Sequence, residues 1–279
     1  MATSDQRRRE LARKKFERQQ ERRAQRRRAR RRNAVIAAAV AAVLVAGAAA
    51  AATAGLGGDG KKKDDAAASP ETSATSKAPD PCDEPAEGEP GTEQWKKEPA
   101  MTIDTSASYV MELETTCGDI GITMDAEKAP RTVNSFNFLA GEGFFDHTRC
   151  HRLTESGIYV LQCGDPKGTG QGGPGYTIPD ENLKDPKLKG NVYPAGTVAM
   201  ANKYNAVEKK GRDSGGSQFF LVYQDSQLPP DYTPFGTIDE AGMKVLKKIA
   251  DAGAAAPDAT QNTAPNATVV INKATVRKS

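Results

Sequence analysis

Residues 34–56 form an unbroken run of Ala, Val, Ile, Leu and Gly with a single Thr, and no charged side chain enters it. As a helix, about 23 such residues rise about 34 Å, enough to cross the hydrocarbon of a bilayer. Residues 1–32, just ahead, hold 15 Lys and Arg against Asp5, Glu10, Glu17 and Glu21, a net of +11. The rest of the chain carries 24 basic and 32 acidic residues, a net of −8. Positive charge beside an apolar span stays on the cytoplasmic side, so everything C-terminal of the run is expected to face outward. A cleaved signal peptide is the competing reading, favoured by the small residues near 48–54 and opposed by the long charged leader and the length of the run. The reading taken is a single-pass plasma-membrane anchor with a cytoplasmic N-terminus. The leader then needs no purpose beyond setting that topology.

The first hundred residues hold too few aromatic and branched apolar side chains to build a core. Residues 57–100 are rich in Gly, Ala, Ser, Pro and charge, and read as a disordered spacer on whose C-terminal end Trp95 docks against the domain. The expected organisation is therefore a basic leader (1–33), a transmembrane helix (34–56), a disordered linker (57–100) and one folded domain (101–279). The acidic balance of that domain argues against nucleic-acid binding. Four cysteines with no CxxC pair fit an oxidising compartment, and two histidines are too few for a histidine-rich metal site.

Within 101–279 the pattern is of short strands. Residues 109–115 and 119–124 alternate apolar and polar side chains about a turn at Cys117 and Gly118, which predicts a hairpin. Pro130 opens a helix with Val133, Phe136, Phe138, Leu139 and Ala140 as its apolar stripe, ended by Gly141 and Gly143. Strands are expected at 149–153, 159–163, 197–201, 218–222, 234–238 and 268–274. A second helix over 240–250 places Met243, Leu246 and Ile249 on one side. This count predicts a mainly β fold, a closed eight-stranded antiparallel barrel capped by two helices.

Six clusters carry more information than the pattern: Cys150-His151-Arg152-Leu153, the run from Val160 through Gln162 to Asp165, the glycine-rich run 168–175, Ala199-Met200-Ala201-Asn202, Gly216-Ser217-Gln218-Phe219-Phe220, and Phe235-Gly236. In this order they resemble the cyclophilin family over essentially the whole folded domain. The resemblance implies a barrel whose outer face grips a proline-containing polypeptide and rotates its X-Pro bond, without cofactor or metal. It implies that Arg152 is catalytic with Gln162 and Gln218 in support. It also implies that Ala201 and Asn202 bind substrate, Asn202 through its backbone. The proline pocket would be built from Phe220 and Leu228, with Tyr159, Val160 and Tyr232. The chain departs from the family pattern in several places. Two extra residues separate Arg152 from Gln162, and Tyr159 and Val160 stand where phenylalanine and methionine are common. The loop 203–215 is long, Gln227 occupies a frequent tryptophan position, and Tyr232 replaces a frequent histidine. Weak cyclosporin binding is the expectation.

An arginine on a strand is usually a solvated charge, and only its company of Gln162, Gln218 and Phe220 singles out Arg152. Alternation sends His151 and Phe219 to the opposite, structural face. The glycine-rich run lacks the Gly-Lys-Ser/Thr ending of a phosphate loop, and Ser217 has no nucleophile-elbow sequence. Cys150 and Cys163 fall on neighbouring strands, so a disulfide between them is expected if they lie opposite one another, leaving Cys82 with Cys117. Four cysteines allow three connectivities. The function expected is assistance to the folding of extracytoplasmic proteins by a monomeric isomerase. A non-catalytic proline-binding chaperone or scaffold module is the alternative.

Overall fold

In the computed structural model of the chain, residues 79–258 and 262–279 are described. The leader 1–33, the apolar run 34–56 and spacer residues 57–78 lie outside them. Among the described residues no helix is long and apolar enough to cross a membrane.

The alternating pattern near the start makes a hairpin of β1 (Ser108–Thr115) and β2 (Gly118–Asp125). Its pairs Met111↔Ile122 and Leu113↔Ile120 put four essentially unexposed side chains on one face. After it, α1 (Pro130–Gly141) begins on proline, whose missing N–H costs nothing in a first turn. Ala129 offers that helix no side-chain cap. The distant Glu181 carboxylate supplies one, accepting the backbone N–H of Arg131 (3.1 Å) and Thr132 (2.9 Å) and the Thr132 hydroxyl (2.8 Å).

The remaining strands are β3 (Thr148–Arg149), β4 (Arg152–Leu153), β5 (Val160–Cys163), β6 (Val192–Tyr193), β7 (Thr197–Met200), β8 (Phe219–Val222), β9 (Ser226–Gln227), β10 (Pro234–Ile238) and β11 (Val270–Lys278). A 3₁₀ turn, Pro186–Asn191, precedes β6, and α2 (Glu240–Asp251) follows β10 with Asp239 accepting the Gly242 N–H at 2.6 Å as its cap. Nine strands form one antiparallel sheet in the order β3-β11-β1-β2-β10-β7-β8-β5-β4, and β6 pairs with β9 apart from it.

The expected closed ring of eight strands is therefore corrected to an open ladder of nine. The single strand expected at 149–153 splits in two at Cys150 and His151. Cys150 donates its N–H to Val269 (3.0 Å) and His151 donates to Gln162 (3.0 Å), so the chain changes partners at this point. The two end strands are two residues each and follow one another in the chain. They bring the ends of the sheet together through a covalent link, with no hydrogen-bonded ladder between them.

The main core lies inside this curved sheet, where Phe136 of α1 meets Phe145, Phe219 and Phe235 at centroid distances of 5.3, 5.5 and 4.6 Å. A smaller apolar cluster on the outer face gathers Val160, Leu188, Tyr193, Ala199, Phe220 and Val222. The packed unit also reaches N-terminal of residue 101. Residues 79–100 contain no helix or strand, yet they run along the domain as a strap. Asp83 donates its N–H to Thr116, and the Trp95 ring sits 5.1 Å from Phe138 and 5.9 Å from Phe144. Disulfides join Cys82 to Cys117, stapling the strap to the hairpin turn, and Cys150 to Cys163 across the seam of the sheet.

Candidate active site

Strand register assembles the site. Arg152 on β4 pairs with Gln162 on β5, Gln162 with Phe220 on β8, and Phe220 with Ala199 on β7. Residues directly opposite one another across antiparallel strands share a face. This row therefore lies on one side of the sheet, and the neighbouring row of Leu161, Leu221 and Val198 lies on the other, in the core.

On the outer side the row opens into a cavity of about 130 Å³. Phe220 and Val160 form its floor, and Leu228, Tyr232 and Ile158 its sides. Arg152, Gln162, Ala201 and Asn202 stand at its polar margin. The Phe220 and Tyr232 rings meet edge to face at 5.5 Å. Tyr193 locks that wall, its hydroxyl donating to the Tyr232 carbonyl (2.7 Å) and accepting the Tyr232 N–H (3.1 Å). Burial raises the pKa of both tyrosine hydroxyls, so the pocket wall is uncharged at neutral pH.

The polar margin is a directed chain of hydrogen bonds. The Gly172 carbonyl can only accept, so Gln218 turns its Nε2 toward it (2.9 Å) and its oxygen toward Gln162. Gln162 donates Nε2 to that oxygen (2.9 Å), which leaves its own Oε1 to accept from Arg152 Nη1 (3.3 Å). Gln162 thus presents its acceptor to the guanidinium and Gln218 fixes Gln162 from behind, while among the described residues the other guanidinium N–H groups are left to meet a ligand over the apolar pocket.

The end of this chain is itself built. Asp165, fully buried, accepts backbone N–H groups of Lys167, Thr169, Gln171 and Gly172, and so shapes the glycine-rich loop. Burial pushes its carboxyl up, but these donors outweigh burial and hold it below its ordinary range. A side chain at position 172 would collide with the Asp165 carboxylate, which is why a glycine stands there. The Asn202 side chain is committed to Asp180 (3.1 Å) and the Asp231 carbonyl (2.8 Å), so what it can offer a peptide is its backbone.

Of the residues expected here, Arg152, Val160, Gln162, Ala201, Asn202, Phe220, Leu228 and Tyr232 line the cavity, and Gln218 stands behind Gln162. Tyr159 does not. It stands just before β5, and its ring lies 5.8 Å from Tyr223. Its place in the cavity is taken by Ile158, which shares a face with Val160 and Gln162 by simple alternation from Gln162. The exposed Gln227 is tied to the carbonyls of Gly190 (2.8 Å) and Asn191 (3.1 Å), away from the pocket.

The family described as cyclophilin type peptidyl-prolyl cis-trans isomerase/CLD matches residues 110–276. The chain is similar to a probable peptidyl-prolyl cis-trans isomerase B of Mycobacterium leprae (strain TN), 45% identical over 196 residues, covering 65% of this chain and 64% of that protein. It is 50% identical over 157 residues to a protein of the same description from Mycobacterium tuberculosis (strain CDC 1551 / Oshkosh), covering 53% of this chain and 49% of that one. A peptidyl-prolyl cis-trans isomerase of Helicobacter pylori (strain ATCC 700392 / 26695) is 39% identical over 139 residues, 49% of this chain and 77% of that protein. The chain thus spans about half to two thirds of the length of the mycobacterial relatives.

Proposed function

The chain belongs to the cyclophilin-type peptidyl-prolyl cis-trans isomerase family, and from that membership together with the site geometry we propose that it rotates X-Pro bonds in extracytoplasmic polypeptides and so assists their folding. The observation that carries the reading is the Arg152 guanidinium, held by Gln162 at the edge of a pocket floored by Phe220.

The reaction breaks no covalent bond. Its barrier, about 18 to 20 kcal/mol, is the loss of amide resonance on twisting, which leaves an uncatalysed X-Pro step of tens to hundreds of seconds. At the top of that barrier the proline nitrogen regains its lone pair and becomes a hydrogen-bond acceptor, as it is in neither planar isomer. A guanidinium that donates to this nitrogen binds the twisted state more tightly than either ground state, which is the condition for catalysis. The two glutamines preset its direction, and the apolar pocket holds the proline ring while the preceding carbonyl swings. Water, metal and nucleotide have no part in this scheme.

A charge-assisted hydrogen bond contributes about 1.5 to 3 kcal/mol, so Arg152→Ala is expected to slow isomerisation roughly 10- to 100-fold in a protease-coupled assay. An unchanged rate would overturn the mechanism and favour a module that only holds proline-containing segments.

Placement outside the cytoplasm rests on the sequence of residues 1–56 and on the cysteines. All four are paired in disulfides, and such bonds persist in oxidising compartments. We expect the protein in the membrane fraction with its domain open to external protease. A mature N-terminus near residues 54–57 would replace the anchor with a cleaved signal.

A further inference from the structure

We propose that a second cleft beside the proline pocket selects an acidic residue flanking the proline, and that the strap, which lies outside the 110–276 family match, forms one of its walls. The inference rests on the isomerase reading, because a proline must first occupy the pocket.

The cleft has a volume of about 520 Å³ and shares Gln162, Ala201 and Asn202 with the pocket, so a peptide seated in one continues into the other. An extended chain advances about 3.3 Å per residue, which brings a residue one or two positions from the proline within reach. Its lining is polar and one-signed. Lys167 and Lys203 stand on it, and no Asp or Glu does. Two buried carboxylates lie behind the lining, Asp165 with its oxygens turned to backbone N–H groups and Asp180 engaged by Asn202 and Arg212. Two ammonium groups without a carboxylate opposite favour a client side chain that brings one.

The strap completes the wall from the far side. Trp95 docks against Phe138 and Phe144 and donates its N–H to the Pro174 carbonyl (2.8 Å), and Gln94 Nε2 reaches the Gly173 carbonyl at 3.4 Å. Gly175 has φ +90°, and a Cβ there would come within 2.7 Å of the Trp95 carbonyl oxygen, so the loop meets the strap where only glycine fits. The exposed Gln94 side chain is thereby held on the rim of the cleft.

The test is NMR exchange on the full-length protein with proline peptides bearing Glu, Gln or Lys at each position within two residues of the proline. At one of these positions kcat/KM is expected to favour Glu over Lys by about 2- to 5-fold for each lysine engaged. Raising the salt should shrink that ratio. Lys167→Gln with Lys203→Gln should abolish it. Gln94→Glu, at an exposed position, should lower it by setting a carboxylate in the wall. Equal turnover of Glu and Lys peptides at every position would overturn the proposal, and a ratio indifferent to Gln94→Glu would remove the strap from it. If no peptide is turned over, the isomerase reading itself fails. The Glu-to-Lys ratio of peptide dissociation constants, read from chemical shifts, then decides the cleft on its own.

Discussion

His151 is the residue next to Arg152, and its side chain has turned the other way. It is 6% exposed, and among the described residues neither of its ring nitrogens has a hydrogen-bond partner. An imidazolium there would lose its hydration without gaining an acceptor. Burial lowers its pKa, the Asp165 charge partly opposes, and the Arg152 charge adds to the lowering. The unfolded chain takes up a proton near the ordinary value of about 6.5, and the folded chain does so only at lower pH. Stability is therefore full above about pH 6.5 and falls as the pH drops from there toward the folded pKa. The Asp165 carboxyl, also held low, adds its own loss only in the more acidic carboxylate range. Denaturant midpoints measured from pH 7 to pH 5 are expected to decline in the wild type and to be flatter in His151→Leu. Equal slopes would refute this account. At this scale the structure brings together side chains that the motifs singled out, because Arg152, Gln162, Gln218 and Phe220 sit in short runs whose spacing is set by strands. Tyr159 lies off the cavity lining and Ile158 on it, as alternation counted back from Gln162 arranges them.

Elements outside regular secondary structure were the hardest to read. The strap has the composition of a spacer, and nothing periodic marks residues 79–100 as packed. Its attachments are scattered backbone and side-chain hydrogen bonds, the Glu98–Arg131 ion pair, one ring and one disulfide, which leave little trace beyond Trp95 and Cys82. The paired strands β6 and β9 are two residues each, below the reach of any pattern. The long loop 203–215 was visible only as extra length, yet it is latched. Arg212 lies 3.5 Å over the Tyr204 ring, donates to the Asp231 carbonyl (3.2 Å) and Asp180 (3.4 Å), and pairs with the Asp231 carboxylate. Asn202 bonds to the same two residues from the other side. Arg212 thus braces the segment that carries Tyr232 and the Asn202 backbone, without touching the pocket. The guanidinium is partly exposed, so the effect of removing it is modest. Arg212→Ala is expected to raise KM about 2- to 5-fold while kcat stays near wild type, and Arg212→Lys to restore little, because lysine lacks the planar fork. A fall in kcat at unchanged KM would assign Arg212 a different role.

For the whole molecule, hairpin, helices and strand alternation made a curved β-sheet legible, but not how its ends meet. Closure was inferred from strand count, whereas the ends are joined by two residues that pair in opposite directions. That seam places a disulfide beside the chemistry. Cys150 precedes Arg152 by two positions, and Cys163 follows Gln162. The other disulfide ties the strap to the β1–β2 turn. By chain entropy the two are comparable, about 3 kcal/mol for the 13-residue separation and about 4 kcal/mol for the 35-residue one. Their effects on turnover should differ. Replacing Cys150 and Cys163 together by serine loosens the join that sets Arg152 against Gln162, and so should lower both the unfolding free energy and the kcat of the folded fraction. Replacing Cys82 and Cys117 should cost stability to a similar extent, with kcat on an uncharged proline peptide retained. Urea titrations and exchange kinetics on the two double variants measure both quantities. Equal kcat values in the two would mean that the seam holds the fold together without positioning the arginine.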